Sequence, residues 1–154
     1  GQHQLLYVYN MADFQTEAEF LERYPGDDVV DFLSFDMYHY GDTAQSPAVR
    51  ELMSRRLDII DRLAGEKGKV AALAETGYER TPDARWWTGV LNEALKGKRI
   101  SYVLLWRNAG RMSNGQMHYY TPVKGDPSAA DFIRFYRLPT TLFQKEATKE
   151  RLYQ

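Results

Sequence analysis

Three features of the sequence converge on an α/β fold built on a parallel sheet. Four short apolar, β-prone runs recur along the chain, and each is nearly continuous in apolarity rather than alternating. Strands covered on both faces have that composition. Each run is followed by a segment of helical period, which makes the rhythm βα repeated.

The first run is Leu5–Tyr9. After it, Thr16 with Glu19 three residues on forms a capping box, and Phe20 and Leu21 begin an apolar face that Pro25-Gly26 ends. The second run, Val29–Phe35, leads into a helix expected from about Ala48 to Lys67, with Leu52, Leu57, Ile59, Ile60 and Leu63 as its buried stripe and Gly65 and Gly68 near its end. The third run, Val70–Ala74, precedes a helix from Pro82-Asp83 that carries Trp86, Trp87, Val90, Leu91 and Leu95 as far as Gly97. The fourth, Ile100–Trp106, is followed after Pro127-Ser128 by a helix whose apolar face is Phe132, Ile133, Phe135 and Tyr136. No linker or low-complexity segment divides these units.

Composition narrows the function classes. The 154 residues are 44% hydrophobic, enough for one ordinary domain. Twenty basic and 21 acidic residues leave a net charge of −1 with no long run of one sign, which argues against a nucleic-acid or anionic-membrane surface. No apolar stretch reaches the roughly 18 residues of a membrane span, and no N-terminal leader pattern is present. With no cysteine, thiol chemistry and thiolate metal sites are excluded. His3, His39 and His118 have no metal-ligand spacing, and the aspartates make no calcium-loop order. No glycine-rich phosphate loop follows a strand, so no cofactor is expected. The marked bias is aromatic, at 14% with 11 Tyr and 3 Trp. Such rings suit sugar platforms, and they suit an aromatic core equally well.

Four βα units make either a small open sheet or half of an eight-stranded barrel. Polar or aromatic groups stand at or just after every C-terminal strand end: Asn10 and Asp13, Asp36 and Tyr38, Glu75, then Trp106, Arg107 and Asn108. A doubly wound sheet gathers its ligand groups at one switch point, whereas a barrel spreads them around its C-terminal rim. The half-barrel is favoured.

Glu75 is the leading chemical candidate, because it places a carboxylate where an apolar strand opens into a loop. Glycoside hydrolysis needs two carboxyl groups across the scissile bond, and a strand end holds one rigidly. A capping or loop glutamate is the alternative. Asp36 and Tyr38 share one side by strand alternation. The tyrosine hydroxyl is suited to holding Glu75 ionised and the aspartate to accepting bonds from sugar hydroxyls, unless the segment is a plain strand exit. Trp106 offers a sugar platform or a cap on the core, and Arg107 a forked donor or a structural ion pair. Trp86 and Trp87, in a helix, are read as packing on the barrel exterior.

Leu5-Leu6-Tyr7-Val8-Tyr9, Tyr24-Pro25-Gly26-Asp27, Phe35-Asp36-Met37-Tyr38, Ala74-Glu75-Thr76-Gly77, Trp86-Trp87-Thr88 and Trp106-Arg107-Asn108-Ala109 together resemble family 26 glycoside hydrolases, chiefly endo-β-1,4-mannanases. The likeness covers almost the whole chain in order and spacing. It implies a (β/α)8 TIM barrel that cleaves β-1,4-mannosidic bonds of mannan-type polysaccharide with retention. This chain, residues 1–154, would supply strands five to eight, the C-terminal half of the catalytic domain. The resemblance makes Glu75 the nucleophile, Tyr38 its orienting partner, and Asp36, Trp106 and Arg107 substrate-binding residues. It also implies a secreted or cell-surface location. The family's acid/base belongs to a His-Glu pair, and no His-Glu pair occurs in this sequence. The expectation is therefore a fragment lacking its acid/base and inactive alone, its open half-barrel prone to pair with a second copy. A non-catalytic carbohydrate-binding half-barrel is the other reading.

Overall fold

The structure is a computed structural model and describes residues 4–149; His3 lies outside them. Its centre is a parallel sheet of β1 (Val8–Met11), β2 (Phe32–His39), β3 (Val70–Tyr78) and β4 (Ile100–Leu105), in the order β1-β2-β3-β4. Helices α1 (Glu17–Leu21), α2 (Ser46–Lys67) and α3 (Glu93–Leu95) fill the crossovers. A short antiparallel ribbon, β5 (Gly110–Arg111) with β6 (Met117–His118), and helices α4 (Ala129–Tyr136) and α5 (Gln144–Lys149) complete the order. These are four consecutive βα units of a (β/α)8 barrel.

Local signals explain most boundaries. Thr16 caps α1 by accepting from the Glu19 amide at 3.2 Å, while the Glu19 carboxylate reaches back to the amide of Gln15 rather than to that of the cap itself. Gly68, at φ 63°, ends α2 in the left-handed conformation that a side chain would resist. Between these ends α2 buries Met53, Leu57, Ile60 and Leu63 against the sheet. Each such side chain contributes roughly 1.5–3 kcal/mol of burial free energy. Arg56, buried in the same face, donates to the Phe14 carbonyl at 2.7 Å and pairs with Asp13, tying the β1–α1 loop to α2.

Four expectations shift, the simplest being that the second strand begins at Phe32 rather than Val29. The first strand begins at Val8, not Leu5; Leu5, Leu6 and Tyr7 are exposed. The third helix does not start at Pro82: a wide π-turn over Trp87–Asn92 leads into α3. Both adjacent tryptophans are fully buried, because the segment is covered from two sides. Trp86 faces Tyr78 of β3 at 6.4 Å and Trp87 meets Phe132 of α4 at 4.7 Å. The reading of both as helix-side packing stands. In α4, Ile133 is exposed at 48% and leaves the apolar face. The polar residue Asp131 is buried there instead, accepting from the Thr88 amide at 2.9 Å and its hydroxyl at 2.7 Å.

The two faces of the sheet differ. Leu33, Phe35, Met37, Leu73 and Val103 point to the helices and join one core with Phe14, Phe20, Trp86, Trp87 and Phe135. The inner face is open: Val8, Val70, Tyr102 and Leu104 remain exposed.

Candidate active site

An irregularity in β3 decides where Glu75 points. Phe35 pairs with Leu73, but the next residue, Asp36, pairs with Glu75, so Ala74 is an extra residue on β3. Leu73 lies in the helix-side core, and strict alternation would send Glu75 the same way. The bulge changes the parity, as such insertions do. Thr76 and Tyr78 are buried beyond it, Thr76 donating to the Met37 carbonyl at 2.7 Å. Glu75 is thereby turned to the inner face.

There it meets Tyr38, whose hydroxyl donates to Glu75 Oε2 at 2.7 Å. Burial, then the bond to Glu75 and the charge behind it, push the Tyr38 phenol far above the ordinary tyrosine value. Tyr38 is therefore a fixed donor rather than a competing anion. Asp36 stands beside Glu75 in the register and accepts from the Asn10 amide at 2.8 Å. Asn10 is itself set by Ser34, whose hydroxyl donates to Asn10 Oδ1 at 2.7 Å. Burial pushes the Asp36 carboxyl up, Asn10 pulls it down, and the nearby Glu75 charge adds to the rise. Its second oxygen, Oδ1, is buried without a partner among the described residues. An unmet acceptor in a cleft is available to a hydroxyl donor.

Trp106 follows β4 and stays half-buried, its amide donating to the Thr76 carbonyl at 3.0 Å. Leu105 pairs with Thr76 and packs on the helix side, so alternation directs Trp106 to the face of Glu75. Arg107 is exposed and makes no ion pair among the described residues. The structure thus gathers Asp36, Tyr38 and Glu75 in one cluster and puts Trp106 and Arg107 at the adjoining rim.

Sequence reasoning missed how the rim is closed. Asn108 Oδ1 accepts from the amides of Tyr120 at 2.9 Å and Thr121 at 3.0 Å, and its Nδ2 donates to the Thr121 carbonyl at 3.0 Å. This clamp folds residues 118–121 back over β3. Tyr120 then lies 5.4 Å from the Tyr38 ring and directly on Gly77. The Gly77 in Glu75-Thr76-Gly77 was the one signal of a close approach. A carboxylate oriented by a phenol at such a rim suits nucleophilic or general-base work. Among the described residues no group of His, Asp and Glu has the arrangement of a metal site.

The family model described as glycosyl hydrolase family 26 matches residues 1–103. A mannan endo-1,4-β-mannosidase of Bifidobacterium adolescentis is 30% identical, over 86% of this chain and 15% of that protein. Among solved structures, a family 26 β-mannanase from Bacteroides ovatus is 39% identical with a TM-score of 0.81, over 92% of this chain and 39% of its own. An endo-β-1,4-mannanase double mutant from Cellulomonas fimi is 34% identical with a TM-score of 0.77, over 93% of this chain and 32% of its own. The chain thus spans well under half the length of each of these relatives.

Proposed function

Since the chain belongs to glycosyl hydrolase family 26, we propose that it carries the nucleophile side of a retaining hydrolase acting on β-1,4-mannosidic bonds. Glu75 attacks the anomeric carbon, and Tyr38 holds the attacking carboxylate in line through its 2.7 Å bond. That bond is the observation that carries the reading. A nucleophile must be held still, and a neutral phenol donor fixes the carboxylate oxygen it bonds. Asp36, with its unmet Oδ1, accepts from a sugar hydroxyl. Trp106 underlies the sugar at the cleavage point, and Arg107 donates to a more distal one.

The general acid/base is a carboxyl from outside these residues. Retention needs two carboxyl groups about 5–5.5 Å apart with the scissile bond between them, and Asp36 lies beside Glu75 in the sheet rather than across a sugar from it. The isolated chain is therefore inactive. Its open inner face, with Tyr102 41% and Leu104 43% exposed, drives self-association that completes the half-barrel. A monodisperse monomer by light scattering would contradict that association. The proposed polymeric substrate favours a reaction outside the cell, at the surface or in the medium.

The test is release of reducing sugar from β-1,4-mannan by this chain alone and by the longest polypeptide its reading frame encodes. Activity in the longer form that vanishes with Glu75→Ala supports the hydrolase. Binding of mannan oligosaccharides without cleavage by either form would instead indicate a carbohydrate-binding half-barrel.

A further inference from the structure

The clamp formed by Asn108 has a consequence for the pair beneath it. Tyr120 is only 7% exposed and is packed on three sides. A methyl group at Gly77 would sit 2.3 Å from its Cδ1, so the ring rests directly on the β3 backbone two residues past Glu75. Its centroid is 5.4 Å from that of Tyr38, with the rings at 56°. His118 stacks edge-on against its other side at 5.2 Å and is itself held by Glu79 at 3.2 Å. The loop is fastened twice more, by the Asn108 bonds and by the Arg80 amide donating to the Tyr119 carbonyl at 2.8 Å. No other ring is so placed against both Tyr38 and β3 among the described residues.

From this we infer that Tyr120 is a positioning residue, a ring that keeps water from the Tyr38–Glu75 hydrogen bond and fixes the tyrosine's rotamer. The inference rests on the proposed role of that pair and deepens it. The contribution comes chiefly from the ring, because the Tyr120 hydroxyl makes no hydrogen bond among the described residues and its charge is a lesser cause behind burial and Glu75. A side chain that excludes water from a hydrogen bond strengthens it without touching substrate. Asn108 adjoins Trp106 and Arg107 in sequence, so the residue that seats Tyr120 is anchored to the segment bearing the proposed sugar platform. Displacing that segment would release Tyr120 as well.

The test reads Tyr38 directly and does not depend on turnover. The chain is labelled with 13Cζ-tyrosine, the Tyr38 resonance is assigned with Tyr38→Phe, and its ionisation is followed as the pH is raised. In the unaltered protein the resonance stays unionised past the ordinary tyrosine value of about 10. Tyr120→Ala moves its ionisation toward that value by at least about one pH unit, and Tyr120→Phe, which removes only the charge effect of the phenol, moves it by clearly less. Circular dichroism verifies that each variant is folded; Gly77→Ala, which pushes the ring aside without changing it, reproduces the shift if Tyr120→Ala does not fold. Glu75→Gln separates the two layers of the argument. If Glu75→Gln leaves Tyr38 unmoved, the pair itself is absent and the proposed function fails with it. If Glu75→Gln moves Tyr38 but neither Tyr120→Ala nor Gly77→Ala does, Tyr120 is structural only and this inference is overturned.

Discussion

The same four strands present two unlike faces. On the helix side Leu33, Phe35 and Leu73 are completely buried, whereas on the inner side Tyr102 and Leu104 keep 41% and 43% exposure. The outer face is closed by the chain's own helices. The inner face is finished only at its C-terminal rim, where the Asn10–Asp36 and Tyr38–Glu75 bonds and the Tyr120 ring form a connected polar edge. On the proposed function, stability and chemistry are carried by opposite sides of one sheet, and substitutions can separate them.

The largest effect belongs to the inner rim. Glu75→Gln in the active form lowers kcat/KM on mannan by a factor on the order of 10⁴, as loss of a nucleophile does, with the unfolding midpoint nearly unchanged. Equal losses of activity and stability would erase the division between the faces. On the outer side, Leu73→Ala destabilises the fold by about 2–5 kcal/mol in denaturant unfolding, through lost burial and the cavity left behind. Leu104→Ala, one strand away on the inner side, costs less than about 1 kcal/mol at protein concentrations low enough to keep the chain monomeric. If the two cost the same, the inner face is covered in solution, and the measurement should be repeated at several protein concentrations to detect the cover.

A smaller effect sharpens the boundary between the faces. His39 follows Tyr38 in β2 but points to the buried side, stacked on Tyr78 at 3.7 Å, with Nδ1 lacking a partner among the described residues. Burial lowers its pKa below the ordinary histidine value, against weaker upward pulls from the Asp42 carbonyl and the Asp83 and Asp42 charges. As the pH drops below about 6.5 the unfolded chain therefore binds more protons than the native one, and stability falls. Stability is full above that value and is lost toward the lowered native pKa, by at most about 1.4 kcal/mol per pH unit. His39→Gln flattens the thermal midpoint between pH 5 and pH 7; an unaltered slope would place the titrating group elsewhere.

Where the sequence spoke through local physics it was readable. The capping box at Thr16, the stripe of α2 and the terminal Gly68 each follow from residue type and spacing. The sheet side of Asp36 and Tyr38 follows from simple alternation. The side of Glu75 does not, because the Ala74 bulge reverses the parity and no residue there announces a bulge. The π-turn over Trp87–Asn92 was not readable, because no residue type there signals the wider turn; Trp87 meets Phe132 of α4 across a sequence gap that local pattern does not span. The Tyr120 wall was hidden because it joins residues of β2, β3 and a distant loop, and only Gly77 hinted at the approach. Val29–Val30 read as strand on apolarity alone, yet Val29 is exposed and pairing begins at Phe32.

The central claim, that Glu75 is a nucleophile, is tested most directly by trapping the covalent intermediate. A 2-deoxy-2-fluoro-mannoside with an activated leaving group needs no acid to depart, so the attack is read independently of the acid/base. The longest polypeptide encoded by the reading frame is incubated with this reagent, digested, and mapped by mass spectrometry. A sugar adduct on the peptide containing Glu75, absent in Glu75→Gln, is the predicted result. An adduct on another carboxylate, or labelling that persists in Glu75→Gln, would contradict the account.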